Sequence, residues 1–309
     1  MEGTCRLCQR PAELQESHII PSFVFKWLKD ASPTPFMRTS REPNRREQDG
    51  IKLHWLCRDC EQVLSACERQ FASTIFQPIT KNGSHRVVYS DWLLKFCVSI
   101  SWRAMLLASE KTSLADFSEA ERRTADEAMH VWREFLCARV PHPGRFEQHL
   151  LEFDGINFSS GGQLPPNINR YALRSIELDI GRADDVGFTY VKMGPLAVIG
   201  FFYLAKPREW SGGKLHVGHG VVGPSRYTLP PSFYEYLIER ARKYGATMES
   251  LSDRQRAAVE KATANGIAKN KEKLLGSHWM KAVQRDIELF GDEAFKVGWS
   301  RRTDEPAEH

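Results

Sequence analysis

Two C-x-x-C pairs, Cys5/Cys8 and Cys57/Cys60, constrain this chain more than any other feature. Such a pair puts two thiols on one tight turn, with backbone amides free to point at the sulfurs. Two such turns supply the four thiolates that Zn²⁺ takes in a closed, tetrahedral structural site. Coincidental core cysteines account poorly for two matched pairs. A redox dithiol needs one pair beside a βαβ pattern, and the sequence has no such pattern. The pairs are too far apart for a simple ribbon, so a small subdomain must be inserted between them. The remaining cysteines, Cys67, Cys97 and Cys137, fall in apolar helical stripes and read as small buried hydrophobes.

The composition sets broad limits. Of 309 residues, 41% are hydrophobic and 27% charged, which supports a substantial core and excludes wholesale disorder. The net charge of +4 permits an acidic partner such as nucleic acid without requiring one. No apolar h-region opens the chain, and the longest apolar run, residues 197–205, is too short to span a bilayer. The expectation is a soluble, cytoplasmic protein with no membrane partner.

Periodicity then divides the chain. Residues 21–30 read as a short helix, with Phe23, Val24, Trp27 and Leu28 at helical spacing after Pro21. Residues 31–50 are rich in Pro, Ser, Asn and Arg and read as an exposed loop. Leu64, Cys67, Phe71 and Ile75 predict a helix over 61–76. Residues 87–151 read as helical, with a central buried helix from Asp91 and a capping box at Ser118/Glu121. Residues 166–223 change period. Alternation over 171–180, β formers over 188–192 and the apolar run over 196–204 predict a small antiparallel sheet. Helix returns at Pro230-Pro231 and the chain ends in a charged tail, 301–309. The predicted fold class is α+β: a zinc-bound module over 1–78, then a mainly helical body with a small antiparallel sheet over 79–309.

Three segments carry a family resemblance: Cys5-Arg6-Leu7-Cys8, Ser17-His18-Ile19-Ile20-Pro21, and Leu56-Cys57-Arg58-Asp59-Cys60 opening a helix. Together they resemble the HNH, or ββα-metal, nucleases that carry a stabilising zinc in a treble-clef arrangement. More closely, the run through Glu61, Leu64, Ser65, Glu68 and Phe71, with Phe96, Ser99, Trp102 and Arg103 beyond, looks like a group of bacterial HNH-like proteins of otherwise unknown function. The first resemblance covers about a quarter of the chain.

That resemblance implies an endonuclease mechanism. His18 would be the general base that takes a proton from the attacking water. A divalent cation, Mg²⁺ or Mn²⁺, would offset charge on the phosphate. The family places a metal ligand just before the His, a second one directly after the last Cys, and an Asn before the second pair to orient the base. Here those positions hold Ser17, Glu61 and, near the last, Lys52. Glu61 is a plausible oxygen ligand, a neutral hydroxyl anchors a hard cation poorly, and a lysine cannot accept the imidazole N–H. Glu16 and Asp49 are nearby carboxylates able to compensate. The bland alternative for His18 is a bond to a backbone carbonyl beside the zinc turn. For Glu61 and Glu68 it is solvation or weak pairing with Arg58 or Arg69.

Two further stretches stand out. Arg38, Arg41, Arg45 and Arg46 cluster in the 31–50 loop among Glu42, Glu47 and Asp49. Their planar forks suit phosphate, although an ordinary solvated loop is the simpler explanation of such a charge cluster. His216 and His219 sit between glycines with no acidic third ligand close by, and read as part of a turn-rich strand. Walker A, dinucleotide-binding and nucleophile-elbow motifs are absent, so nucleotide hydrolysis and serine hydrolase chemistry lack support. The expected function is a zinc-stabilised HNH-like protein acting on nucleic acid, DNA before RNA, as an endonuclease against foreign DNA. The alternative is a catalytically degenerate scaffold that binds nucleic acid or a protein.

Overall fold

The computed structural model describes the chain except Arg41, Ser84, His85, Thr112, Ser113, residues 158–162, Pro224, Ser225 and residues 297–309. The charged tail and Arg41 therefore lie outside the described residues. The chain forms two compact units, each woven from three stretches. One comprises Met1–Lys26, Asp49–Asp154 and Ile176–Pro230; the other comprises Trp27–Gln48, Gly155–Ser175 and Pro231–His309. The expected boundary at residue 78 falls inside the first unit rather than between the two.

The first unit opens with strands β1 (Glu2–Thr4) and β2 (Pro11–His18), the start of helix α1 (Ser22–Asp30), strand β3 (Lys52–Cys57) and helix α2 (Arg58–Phe71). The first three strands form one antiparallel sheet in the order β1-β2-β3. Helix α2 has Asp59 and Glu61 in its first turn and Arg69 in its last, each placed to suit the helix dipole. Its buried stripe is Leu64, Cys67 and Phe71, and the Phe71 ring stacks on Phe96 at 3.9 Å. A π-helical turn, Ala72–Phe76, continues into α3 (Gln77–Asn82), so the helix predicted over 61–76 forms but begins earlier and runs on.

Strand β4 (Val87–Tyr89) precedes α4 (Asp91–Glu110), which is buried on nearly every face. By length and hydropathy α4 meets the requirements of a membrane-crossing helix, contrary to the expectation that no stretch does; 78% of its apolar window is buried inside the protein. The sequence reading missed it because Arg103 and the two flanking serines interrupt the apolar run. Helix α5 (Glu119–Leu136) begins with the capping box that Ser118 and Glu121 predict, both bonds present. Residues 87–151 are not wholly helical, since β4 and β5 (Gln148–Glu152) lie at their two ends.

Strands β6 (Ile176–Ala183), β7 (Val186–Met193) and β8 (Leu196–Leu204) join β5 in an antiparallel sheet ordered β5-β8-β7-β6. All eight residues of β7 and the first seven of β8 are buried, which is why β8 reads as a continuous apolar run rather than an alternating one. Gly194 turns the β7–β8 hairpin at φ +62°, a conformation that favours glycine. Gly200 allows close approach of α4: a Cβ there would lie 2.3 Å from the Ser101 hydroxyl, which donates to buried Gln148 at 2.7 Å. Strand β9 (Gly220–Val222) pairs with β4.

The second unit is helical: α6 (Ile168–Arg174), α7 (Pro231–Glu249), α8 (Asp253–Leu274), α9 (His278–Phe290) and α10 (Glu293–Lys296). Ser252 caps α8 as the Ser-x-x-Gln pattern implies. Residues 171–180 do not form one strand; their first part belongs to α6. The reason is tertiary. Buried Asp286 accepts the Asn169 amide at 2.8 Å and the Arg170 amide at 3.1 Å, satisfying donors at the first turn of α6. Arg174 closes the other end. It donates to the carbonyls of Leu28 and Ala31 at the end of α1, and its guanidinium lies 5.4 Å from the Trp27 ring. Burial pulls that guanidinium's pKa down to about 10, which leaves it cationic at neutral pH.

Candidate functional site

Cys5 and Cys8 lie on the turn between β1 and β2, and Cys57 and Cys60 at the junction of β3 and α2. The turn closes through the Gln9 amide on the Cys5 carbonyl at 2.9 Å, with Gln9 held at φ +63°. Its side-chain amide donates to the Arg6 carbonyl at 2.7 Å, a local bond that helps hold the left-handed backbone. The four Sγ atoms lie within 4.8 Å of one another, and Cys8 and Cys57 are 3.8 Å apart. Tetrahedral Zn–S bonds of about 2.3 Å require sulfur–sulfur edges of roughly 3.8 Å, so the donor set fits a structural metal such as zinc. It is the one group of metal-ligating side chains among the described residues.

The electrostatics favour a cation. Burial pushes the Cys5 thiol up, but amide bonds from Cys57, Cys8 and Leu7 outweigh it and bring the pKa down to about 7. Cys8 and Cys60 are raised, first by burial. Four thiolates in this space need a positive ion to coexist. The turn is also fixed from outside. Arg6 pairs with Glu110 at 2.8 Å, Trp55 donates to the same carboxylate at 3.2 Å, and Cys137 donates to the Leu7 carbonyl at 3.6 Å. Cys67 and Cys97 are buried and their thiols raised by burial, as inert core cysteines are.

The histidine segment ends β2. Across the β2–β3 ladder, Gln15 pairs with Leu56 and Glu16 with His54, so Trp55 is an extra residue that makes a bulge. On either side of that irregularity Leu14 and Ser17, three apart on β2, are both buried. Ser17 turns toward α2 and donates to Glu61 Oε2 at 2.6 Å. The next residue, His18, takes the other side of the strand. Its Nε2 lies 2.9 Å from Asp49 Oδ2, and its ring stacks on Phe25 at 6.4 Å. Burial alone would raise the Asp49 carboxyl. Bonds from His18, the Gly50 amide and Lys52 outweigh it and hold the pKa at about 2. An ionised Asp49 can only accept, so Nε2 carries the proton and Nδ1 keeps its lone pair in the neutral ring.

Asp49 thus occupies the orienting role that the sequence left open between it and Glu16. Glu16 instead faces Lys52 at 3.6 Å, and Lys52 also reaches Asp49 at 3.1 Å. No hydrogen bond joins His18 to Glu61 among the described residues; Ser17 is the link between them. The backbone there is held by Arg103 of α4, which is 2% exposed. It donates to the His18 carbonyl at 2.7 Å, to Glu68 Oε1 at 2.6 Å and to the Ser99 carbonyl at 3.3 Å. Sequence reasoning noted Glu68, Ser99 and Arg103 as a pattern without seeing that they meet. Replacing Arg103 with Met should cost about 3 kcal/mol, because the Glu68 carboxylate and the His18 carbonyl lose a buried partner. Chemical denaturation reads this directly, and an unchanged midpoint for Arg103→Met would remove the latch.

The arginine loop lies in the second unit. Arg38 turns inward, donating to the Pro43 carbonyl at 2.7 Å and to Gln255 at 2.8 Å. Arg45 faces Glu42 at 3.1 Å and Glu47 at 3.4 Å. Arg46 lies over the Phe36 ring at 4.3 Å. His216 and His219 are exposed, on irregular backbone flanking a bend rather than on a strand, and belong to no metal-ligating group among the described residues.

Comparison with known proteins returns no matching family model, no curated protein of similar sequence and no solved structure of similar fold.

Proposed function

We propose that the hairpin–helix β2–β3–α2, stapled by zinc at the four cysteines, is an HNH-like module that binds nucleic acid and cleaves its phosphodiester backbone. The observation that carries this reading is the His18–Asp49 pair at 2.9 Å at the end of β2, whose preceding residue, Ser17, bonds Glu61 at 2.6 Å on the opposite side of the strand. The first pair is an oriented base, with Nδ1 left to accept a proton from water. The second offers an oxygen cluster of the kind Mg²⁺ uses when one carboxylate anchors it and water or phosphate oxygens complete the shell. Such an ion, when bound, would supply positive charge where the phosphate gains negative charge. The zinc cannot serve this purpose, since four thiolates leave it no open position.

What this chain's own residues contribute is definite. Asp49 fixes the tautomer of His18. Arg103 fixes the strand end that carries His18. Glu61 and Ser17 set the position of the oxygen donors. The departures at Ser17 and Lys52 keep the second reading alive, in which the same module binds nucleic acid without cutting it. Ser17 adds a hydroxyl rather than a carboxylate, and Lys52 shares Asp49 with His18. The deciding assay incubates zinc-loaded protein with duplex DNA, single-stranded DNA and RNA, with and without Mg²⁺ or Mn²⁺. Cleavage should appear only with added metal, and Glu61→Gln should raise the metal concentration required. Binding without cleavage on every substrate makes the binder the better reading.

A further inference from the structure

An open groove of about 430 Å³ runs between β2 and α2, lined by Gln15, Glu16, Arg58, Glu61, Gln62 and Ser65, with Arg69 at one end. Every one of these side chains is polar, so the groove suits a polar, hydrated ligand rather than an apolar one. Its size is that of ordinary ligand sites. Gln15 and Glu16, adjacent on β2, both line it at the point where the register of β2 and β3 shifts. On the helix side, positions 58, 62, 65 and 69 share one face: a spacing of eleven residues returns to within about 20° of the start.

The charges in the groove are unequally engaged. Glu16 is paired with Lys52, and Glu61 accepts from Ser17. Arg58 and Arg69 are exposed, and among the described residues neither has an ion pair or a side-chain hydrogen bond. The weak pairing with Glu61 and Glu68 weighed from sequence does not form: Glu68 belongs to Arg103. Two uncommitted guanidinium groups thus stand at two ends of a polar trough, with their Cα atoms roughly 16 Å apart along the helix. Their long side chains can converge on one anion or, splayed along the helix, each take a separate one. A nucleic-acid strand carries a charge about every 3.4 Å of duplex axis, so it presents several phosphates over that span. Guanidinium forks match phosphate oxygens in pairs. Gln15 and Gln62 add amides that both donate and accept, as sugar and base edges require.

We propose that this groove seats a nucleic-acid backbone, with Arg58 and Arg69 each taking a phosphate on either side of the one nearest Glu61. The assignment rests on the function proposed above and names the residues that hold its substrate. An acidic peptide is the competing polyanion; its carboxylates also accept paired guanidinium forks, but they are not held at the regular short spacing of phosphates along a strand.

The test is the binding of a short fluorescein-labelled DNA, single-stranded and duplex, to full-length zinc-loaded protein across a salt series. Added metal is omitted so that no cleavage intervenes. Changing Arg58 and Arg69 together to Ala should reduce the salt slope by about 1.8 for duplex or about 1.4 for single strand, two phosphate contacts in either case. Zinc content and melting should not change, because both side chains are exposed. Arg58→Lys should retain most of the slope. An unaltered slope in the double variant overturns the groove while leaving the proposed function standing. Failure of the wild type to bind any nucleic acid overturns both. Equal binding of poly-glutamate, lost in the same variant, overturns the nucleic-acid assignment in favour of an acidic peptide.

Discussion

Cys57→Ser protein should be purified without the zinc, about one ion per chain, that wild type is expected to carry, and its N-terminal module should no longer fold cooperatively. Structural zinc sites contribute about 10 kcal/mol or more to folding, a large term beside the marginal stability of a domain. Cys57 is buried and lies where β3 becomes α2, so loss of its thiolate frees the junction of the two elements. Loss of the ion would also leave thiols such as Cys60, raised by burial, without the charge that lets them ionise. Zinc by mass spectrometry and melting followed by tryptophan fluorescence check the result, since Trp55 reports on β3. A metal-free Cys57→Ser chain that melts with the wild-type midpoint would show that the cysteines serve some other purpose.

The second large effect is on chemistry. If the module cuts phosphodiesters, His18→Ala should slow cleavage by about 10²- to 10⁴-fold, the usual worth of a positioned general base. Zinc content and affinity for DNA should hold, because the His18 side chain bonds only Asp49 and Phe25 stacks beside it. Asp49→Asn should give a smaller loss, since an amide oxygen still accepts the Nε2 proton while the negative charge is gone. Equal cleavage by wild type and His18→Ala would place the activity elsewhere and defeat the assignment of His18 as base.

These two sites differ in how far the sequence exposes them. The cysteine pairs are local patterns whose spacing is dictated by a metal, so they can be read without a fold. His18 and Glu61 come from the same short segments. Asp49 does not: it lies in an irregular loop with no period, and only the register of β2 and β3, with His18 opposite Lys52, brings it to the imidazole. Arg103 is hidden for another reason. A lone cation in an apolar helix is visible, but its acceptors lie on two other elements distant in the chain. Helix α6 was misread as strand because seven residues of helix owe their first turn to Asp286, far along the sequence. The capping boxes show the opposite case, in which both partners lie three residues apart. The alternation of the two units along the chain leaves no compositional trace at all.

That alternation sets the order of events during synthesis. The cysteine turns, β3 and α2 are complete by Phe71, yet the first unit takes in residues as late as Pro230. At ribosomal speeds of about 5–20 residues per second, the interval is on the order of ten seconds. For the first part of it, until α4 is complete at Glu110, the apolar stripe of α2, with Phe71 awaiting Phe96, stands without that cover. A metal captured early by the four thiolates would hold the hairpin and helix in register over that interval, so the ion would act as a timing device for the nascent chain as well as a fastener for the finished one. No contiguous fragment ending before Pro230 contains the whole first unit, and any fragment that contains it carries at least two stretches of the second.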